Sequence, residues 1–223
     1  MAEVAERGVW LGPDNVAAHR ADLAAFVERA VRLDAATVIR LRARSAREFT
    51  AWASTGLDVL ASRVVAGVVR PDDLSVGADE LGRRLADLDV SGYVDPGFPM
   101  DSAWRGALPP NSGFTHLDDV PARLLLDLAQ RGSRLAKEHA SAQGPPVSLL
   151  DQEVIRVSSG ADSVGVPMRC VFALTAMGFL PQDAGAIDSG EIVRVRILPA
   201  WLRIDARFGS VYRRRGDPAL VLR

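Results

Sequence analysis

Two alternating runs near the C-terminus constrain the fold more than any other feature of this sequence. Val193, Val195 and Ile197 alternate with Arg194 and Arg196; then Leu202, Ile204 and Ala206 alternate with Arg203, Asp205 and Arg207. Successive side chains of a strand point to opposite faces, so each run makes a strand with one apolar and one charged face. A turn centred on Pro199-Ala200 pairs Ile197 with Leu202, Val195 with Ile204 and Val193 with Ala206, and every inward pair is then apolar. The outward pairs are Arg194 with Asp205 and Arg196 with Arg203. The second places like charges opposite one another, which is destabilising unless an anion lies between them. That anion is either an acidic side chain of the chain itself or an external ligand.

The same period recurs earlier. Ile39, Leu41 and Ala43 alternate with Arg40, Arg42 and Arg44, and Phe49, Ala51 and Ala53 alternate with Glu48, Thr50 and Trp52. A loop at Ser45–Arg47 makes these an antiparallel hairpin with Arg44 opposite Glu48 and Arg40 opposite Trp52, a charge pair and a cation–π pair. In Leu57–Val69 the spacing of Leu57, Leu60, Val64 and Val68 suits a helix, while the valines and Gly67 favour a third strand, which is the reading taken. Val9–Leu11 reads as a short strand. Asp14 or Asn15 caps a helix over 15–33 whose Leu23, Phe26, Val27, Ala30, Val31 and Leu33 share a face, and a second helix spans about 76–88. The first 90 residues thus read β-α-β-β-β-α.

Residues 91–119 break the periodicity. Gly92, Pro96, Gly97, Pro99, Gly106, Pro109, Pro110 and Gly113 demand irregular backbone, while Tyr93, Phe98, Trp104 and Phe114 have no use in a solvated tether. The segment is expected to be a structured crossover. After it, Asp119 is expected to cap a helix with Pro121 in its first turn and Leu124, Leu125, Leu128, Leu135 and Ala136 on its buried stripe. Glu153–Ser158 reads as a strand, "GADSVG" (160–165) as a plain turn, and 166–180 as a helix. In its order of elements, residues 120–207 resemble a winged helix. A DNA-reading helix needs several side chains able to bond base edges, however, and between Val166 and Leu180 only Arg169 and Thr175 qualify. That helix is expected to be core.

The fold class that follows is α+β: an antiparallel sheet with packed helices in the N-terminal half, and a helix-strand-helix-hairpin unit in the C-terminal half. The organisation expected is a lobe over 1–90, the crossover over 91–119 and a lobe over 120–223, the two lobes packing closely.

Composition bounds the function. Residues 191–223 carry eight arginines against Glu191, Asp205 and Asp217, a charge of +5, whereas the whole chain is −1 and its first 190 residues are −6. A protein that coats nucleic acid over its whole surface is excluded. One cysteine, Cys170, excludes an intramolecular disulfide and cysteine-rich zinc sites. The start of the chain lacks the basic-then-apolar pattern of a secretion signal, and the longest apolar run, Cys170–Leu180, is too short for a bilayer. The expectation is a soluble, cytoplasmic protein.

No motif for catalysis, phosphate or dinucleotide binding occurs. His19, His116 and His139 are far apart. His116 with Asp118 supplies half a metal coordination sphere, so no metal and no cofactor is expected. Cys170, beside Arg169, is expected to be a buried, inert thiol. The reading favoured is a non-enzymatic binding or scaffold protein whose hairpin arginines, Arg194, Arg196, Arg203, Arg207, Arg213, Arg214 and Arg215, meet an anionic partner, either nucleic acid or an acidic protein surface. Two alternatives stand beside it: a small enzyme with Trp104, Arg105, His116 and Asp118 as its site in 91–119, and a homo-oligomer subunit with the hairpin as interface.

Overall fold

The structure is a computed structural model and describes residues 7–88, 91–138, 146–181, 185 and 187–216. It is mixed α+β, and its sheets are antiparallel. The chain divides into two compact units. The first holds residues 1–56 and 62–108; the second holds Leu57–Ala61 and Pro109–Arg223.

Unit one is built from β1 (Gly8–Leu11), α1 (Val16–Leu33), β2 (Val38–Ser45), β3 (Glu48–Ser54), most of β4 (Leu60–Arg70), β5 (Asp73–Gly77), α2 (Ala78–Ala86) and β6 (Tyr93–Val94). The strands run in the order β5-β2-β3-β4, and β1 pairs with both β4 and β6. Asn15 caps α1 by accepting from the Ala18 N–H. Leu23, Phe26, Val27 and Ala30 are its buried residues, whereas Val31 is only half-buried and Leu33, in the last turn, is exposed; α1 packs on α2 and on β3.

The β2–β3 hairpin sets Arg40 opposite Trp52, as its alternation predicts. One expectation fails at its end. An irregularity between Ala43 and Ser45 puts Ser45, not Arg44, opposite Glu48. Trp52 is buried at 3% exposure, and Arg40 binds both oxygens of Asp73 at 2.7 Å and lies over the Trp104 ring. Asp73 belongs to β5, a strand of five residues that sequence periodicity is too short to show.

Unit two is built from β7 (Thr115–Pro121), α3 (Ala122–Glu138), α4 (Val147–Asp151), β8 (Glu153–Ser159), β9 (Asp162–Pro167), α5 (Met168–Ala176), β10 (Ile192–Leu198), β11 (Trp201–Ala206) and β12 (Gly209–Arg214). Its strands run β12-β11-β10-β7, with β8-β9 as a separate hairpin. The β10–β11 register is the expected one: Arg194 faces Asp205, Val195 faces Ile204, Arg196 faces Arg203 and Ile197 faces Leu202.

Three expectations are corrected in unit two. Asp119 is a strand residue: β7 runs to Pro121, and α3 begins at Ala122, three positions beyond Asp119. The buried face of α3 is Ala122, Leu125, Leu126, Ala129 and Gly132, while Leu124 and Leu135 are exposed. "GADSVG" is more than a turn, because residues 162–167 form β9, and the order of elements is therefore not that of a winged helix. His139 lies outside the described residues.

The two units share one design: an antiparallel sheet and a pair of helices packed on each other, α1 with α2 and α3 with α5. No sequence repeat accompanies it.

Candidate functional site

The question left by the Arg196–Arg203 pair has an internal answer. Asp205 lies two residues beyond Arg203 on the same face of β11. Its Oδ1 accepts from Arg203 Nε at 2.6 Å, and its Oδ2 accepts from Arg196 Nη1. Ser210, opposite Asp205 on β12, donates its hydroxyl to the same carboxylate. Arg203 also lies over the rings of Phe114 and Tyr212, 5.5 Å from each centroid, which fixes its guanidinium plane.

The remaining hairpin arginines do not form one surface. Arg213 faces Leu202 in the register and so lies on the apolar side of the sheet, whereas Arg203 and Tyr212 lie on the other. Arg194 Nε is 4.0 Å from Asp119, and Arg207 Nη1 is 3.7 Å from Glu191. Arg214 lies over Trp201, and Arg215 donates to the Leu198 carbonyl at 3.2 Å. Every arginine proposed from the sequence thus has a partner within the chain.

The 91–119 candidates separate. Trp104 and Arg105 belong to unit one, and His116 and Asp118 to unit two. Trp104 donates its indole N–H to the Gly106 carbonyl at 3.1 Å, and His116 Nε2 is 3.4 Å from Asp119. Among the described residues no cluster of His, Cys, Asp and Glu could hold a metal ion. Nor is any helix among them long and apolar enough to cross a membrane.

Cys170 is fully buried in the first turn of α5, and burial pushes its thiol up to about 12, against smaller opposing effects of Arg213 and Arg169. A thiol held in that state is a poor nucleophile. In unit one, a cleft of about 740 Å³ is lined by Trp10, Leu11, Pro13, Ala46, Ala66 and Val68 among others. At its edge the His19 ring, 3.2 Å from Asp14, holds the Asp14 carboxyl below the usual carboxylate range.

A further group of basic residues lies on α3, away from the hairpin. Arg131, Arg134 and Lys137 are exposed, three residues apart along the helix. Sequence reading passed over them because acidic residues Asp127 and Glu138 dilute the segment. The available signal was their common spacing opposite the apolar stripe.

Residues 6–106 match a Domain of unknown function (DUF8010), and residues 109–218 match another, a Domain of unknown function (DUF8185). The boundary between the two matches coincides with the division between Leu108 and Pro109. No curated protein matches the sequence. Among solved structures, a protein of Eubacterium rectale provisionally assigned as a DNA polymerase III beta subunit superposes with a TM-score of 0.59, at 11% identity over 95% of this chain. The DNA polymerase III subunit beta of Pseudomonas aeruginosa gives 0.55, at 14% identity over 92% of this chain. The DNA polymerase sliding clamp of Caulobacter crescentus gives 0.53, at 13% identity over 98% of this chain.

The chain has the sliding-clamp fold. It spans 66% of the length of the Eubacterium and Pseudomonas chains and 69% of the Caulobacter clamp, so it is about one third shorter than the clamp subunits it resembles. Two units of sheet and paired helices account for the likeness along nearly all of this chain.

Proposed function

We propose that this protein is a non-enzymatic scaffold that associates with DNA. The observation that carries the reading is the sliding-clamp fold along 92–98% of the chain, shared with subunits of DNA polymerase. The contact is assigned to α3, where Arg131, Arg134 and Lys137 have no carboxylate partner among the described residues. Arg196 and Arg203 are structural in this reading, since Asp205 already binds both. The chain's net charge of −1 suits a protein that touches DNA along one helix rather than coating it.

The test is fluorescence anisotropy with a labelled DNA duplex at low and at physiological salt. The wild type binds weakly and with a steep salt dependence. Replacement of Arg131, Arg134 and Lys137 by Gln weakens binding and flattens the salt slope by about three, because each phosphate contact releases close to one counterion. The same replacement of Arg194 and Arg207 leaves the affinity unchanged. Undetectable binding even at low salt overturns the DNA reading.

A further inference from the structure

Arg169 and Arg213 stand side by side in unit two, and two of their buried nitrogens lack acceptors. Arg169 is the second residue of α5, and its side chain is only 10% exposed. It donates from Nη1 to the Leu57 carbonyl at 2.7 Å and from Nη2 to Asp151 Oδ1 at 2.6 Å. Arg213, from β12, donates from Nη2 to the same Asp151 oxygen at 3.3 Å. The Nε atoms of both arginines are buried and make no hydrogen bond. A buried donor without an acceptor is costly, and an unfilled ion or water position is one of its ordinary explanations.

One further carboxylate stands close without closing the gap. Asp58 Oδ2 is 4.0 Å from Arg169 Nη1 and 3.9 Å from Arg213 Nε, beyond hydrogen-bond reach of either. Its side chain is 77% exposed, and its backbone holds a φ of 58°, in the left-handed region that a non-glycine residue rarely occupies. Arg213 is 29% exposed, which leaves the pair an approach from solvent on the Asp58 side.

We propose that Arg169 and Arg213 form a binding site for a small oxyanion, a carboxylate or phosphate group that takes the position Asp58 approaches. The entering group accepts from Arg213 Nε and Arg169 Nη1 and turns the Asp58 side chain outward to water. Two guanidinium groups offering several donors to one oxyanion match the geometry that planar and tetrahedral acids favour. Asp151 remains in place and orients both arginines. The site is independent of α3 and of the DNA reading.

The test titrates the full chain with inorganic phosphate and, separately, with acetate, against chloride at equal ionic strength. The readouts are thermal midpoint and the ¹⁵N–¹H resonances of the arginine Nε groups. A saturable shift at the Arg213 Nε resonance is expected. Asp58→Asn, an exposed loop substitution, strengthens the response severalfold by removing a competing charge, and Arg213→Gln abolishes it. A response to both anions assigns the carboxylate-sized oxyanion in general, and a response to phosphate alone assigns the phosphate group. Absence of any saturable response in the wild type and in Asp58→Asn overturns the proposal and leaves the two Nε groups to water. Neither result depends on DNA binding, so the two readings fail separately.

Discussion

Arg203 and Asp205, two residues apart on one face of β11, are joined by an Nε–Oδ1 hydrogen bond of 2.6 Å, and the same carboxylate also holds Arg196 across the strand pair. One aspartate therefore converts a repulsive cross-strand pair into a three-membered network. All three side chains are mostly buried, with 14–29% exposure, so solvent screens the network only in part. Replacing Asp205 by Ala leaves two cations facing each other and is expected to destabilise unit two by about 1–3 kcal/mol. Replacing Arg196 by Ala as well removes the repulsion and recovers part of that loss. Urea unfolding midpoints of the single and double variants measure both effects, and a fully additive loss would contradict the network.

Cys170 yields a prediction in pH. Its folded-state value is pushed from an ordinary 9.0 up to about 12, chiefly by burial. The folded chain therefore holds the thiol proton more tightly than the unfolded chain does. The stability this contributes is complete below pH 9 and is lost as the pH rises from 9 towards 12. Labelling by a thiol reagent at pH 8 is expected to be negligible in the native protein and to proceed at the unfolding rate. Rapid native-state labelling would show an accessible thiolate.

The hairpin register from Arg194–Asp205 to Ile197–Leu202 is legible in the sequence because its alternation has a period of two and a proline marks its turn. Its neutralisation was half legible: Asp205 was visible in the sequence, but only the twist of the strand brings its two oxygens to Arg203 and Arg196. The strand β9 was hidden by Gly165 and Pro167, which ordinarily read as loop. Arg169, Asp151, Arg213 and Asp58 meet across separations of up to 155 positions, and no local pattern announces such a cluster.

Helix α3 shows how a correct element can be read in the wrong rotation. Leu124, Leu125, Leu126 and Leu128 are all apolar, so leucines alone do not fix the phase. It is fixed by small residues, since a Cβ on Gly132 would lie 2.8 Å from Met168 at the contact with α5. Leu125→Ala is expected to cost about 2–5 kcal/mol because Leu125 is 2% exposed, and Leu124→Ala less than about 0.5 kcal/mol because Leu124 is 40% exposed. Chemical denaturation of the two variants distinguishes the observed phase from the alternative centred on Leu124.

Gly67 lies where β4 pairs with β1, opposite Leu11 and two residues before Val69, which pairs with Val9. Its φ of 150° lies in a region that side chains disfavour. A Cβ there would stand 2.3 Å from the Trp10 carbonyl oxygen and 3.0 Å from the Phe49 ring, and neither a backbone oxygen nor a fully buried ring can yield. Gly67→Ala is therefore expected to destabilise unit one by at least about 2 kcal/mol, through strain and through separation of the two strands. Ala66→Gly, one residue away, changes neither contact and serves as the control. Thermal unfolding measures the cost. Hydrogen exchange at the Gly12 amide, which donates to Ala66 at 2.9 Å, reports whether the β1–β4 edge has opened, and protection equal to that of the wild type would refute the steric account.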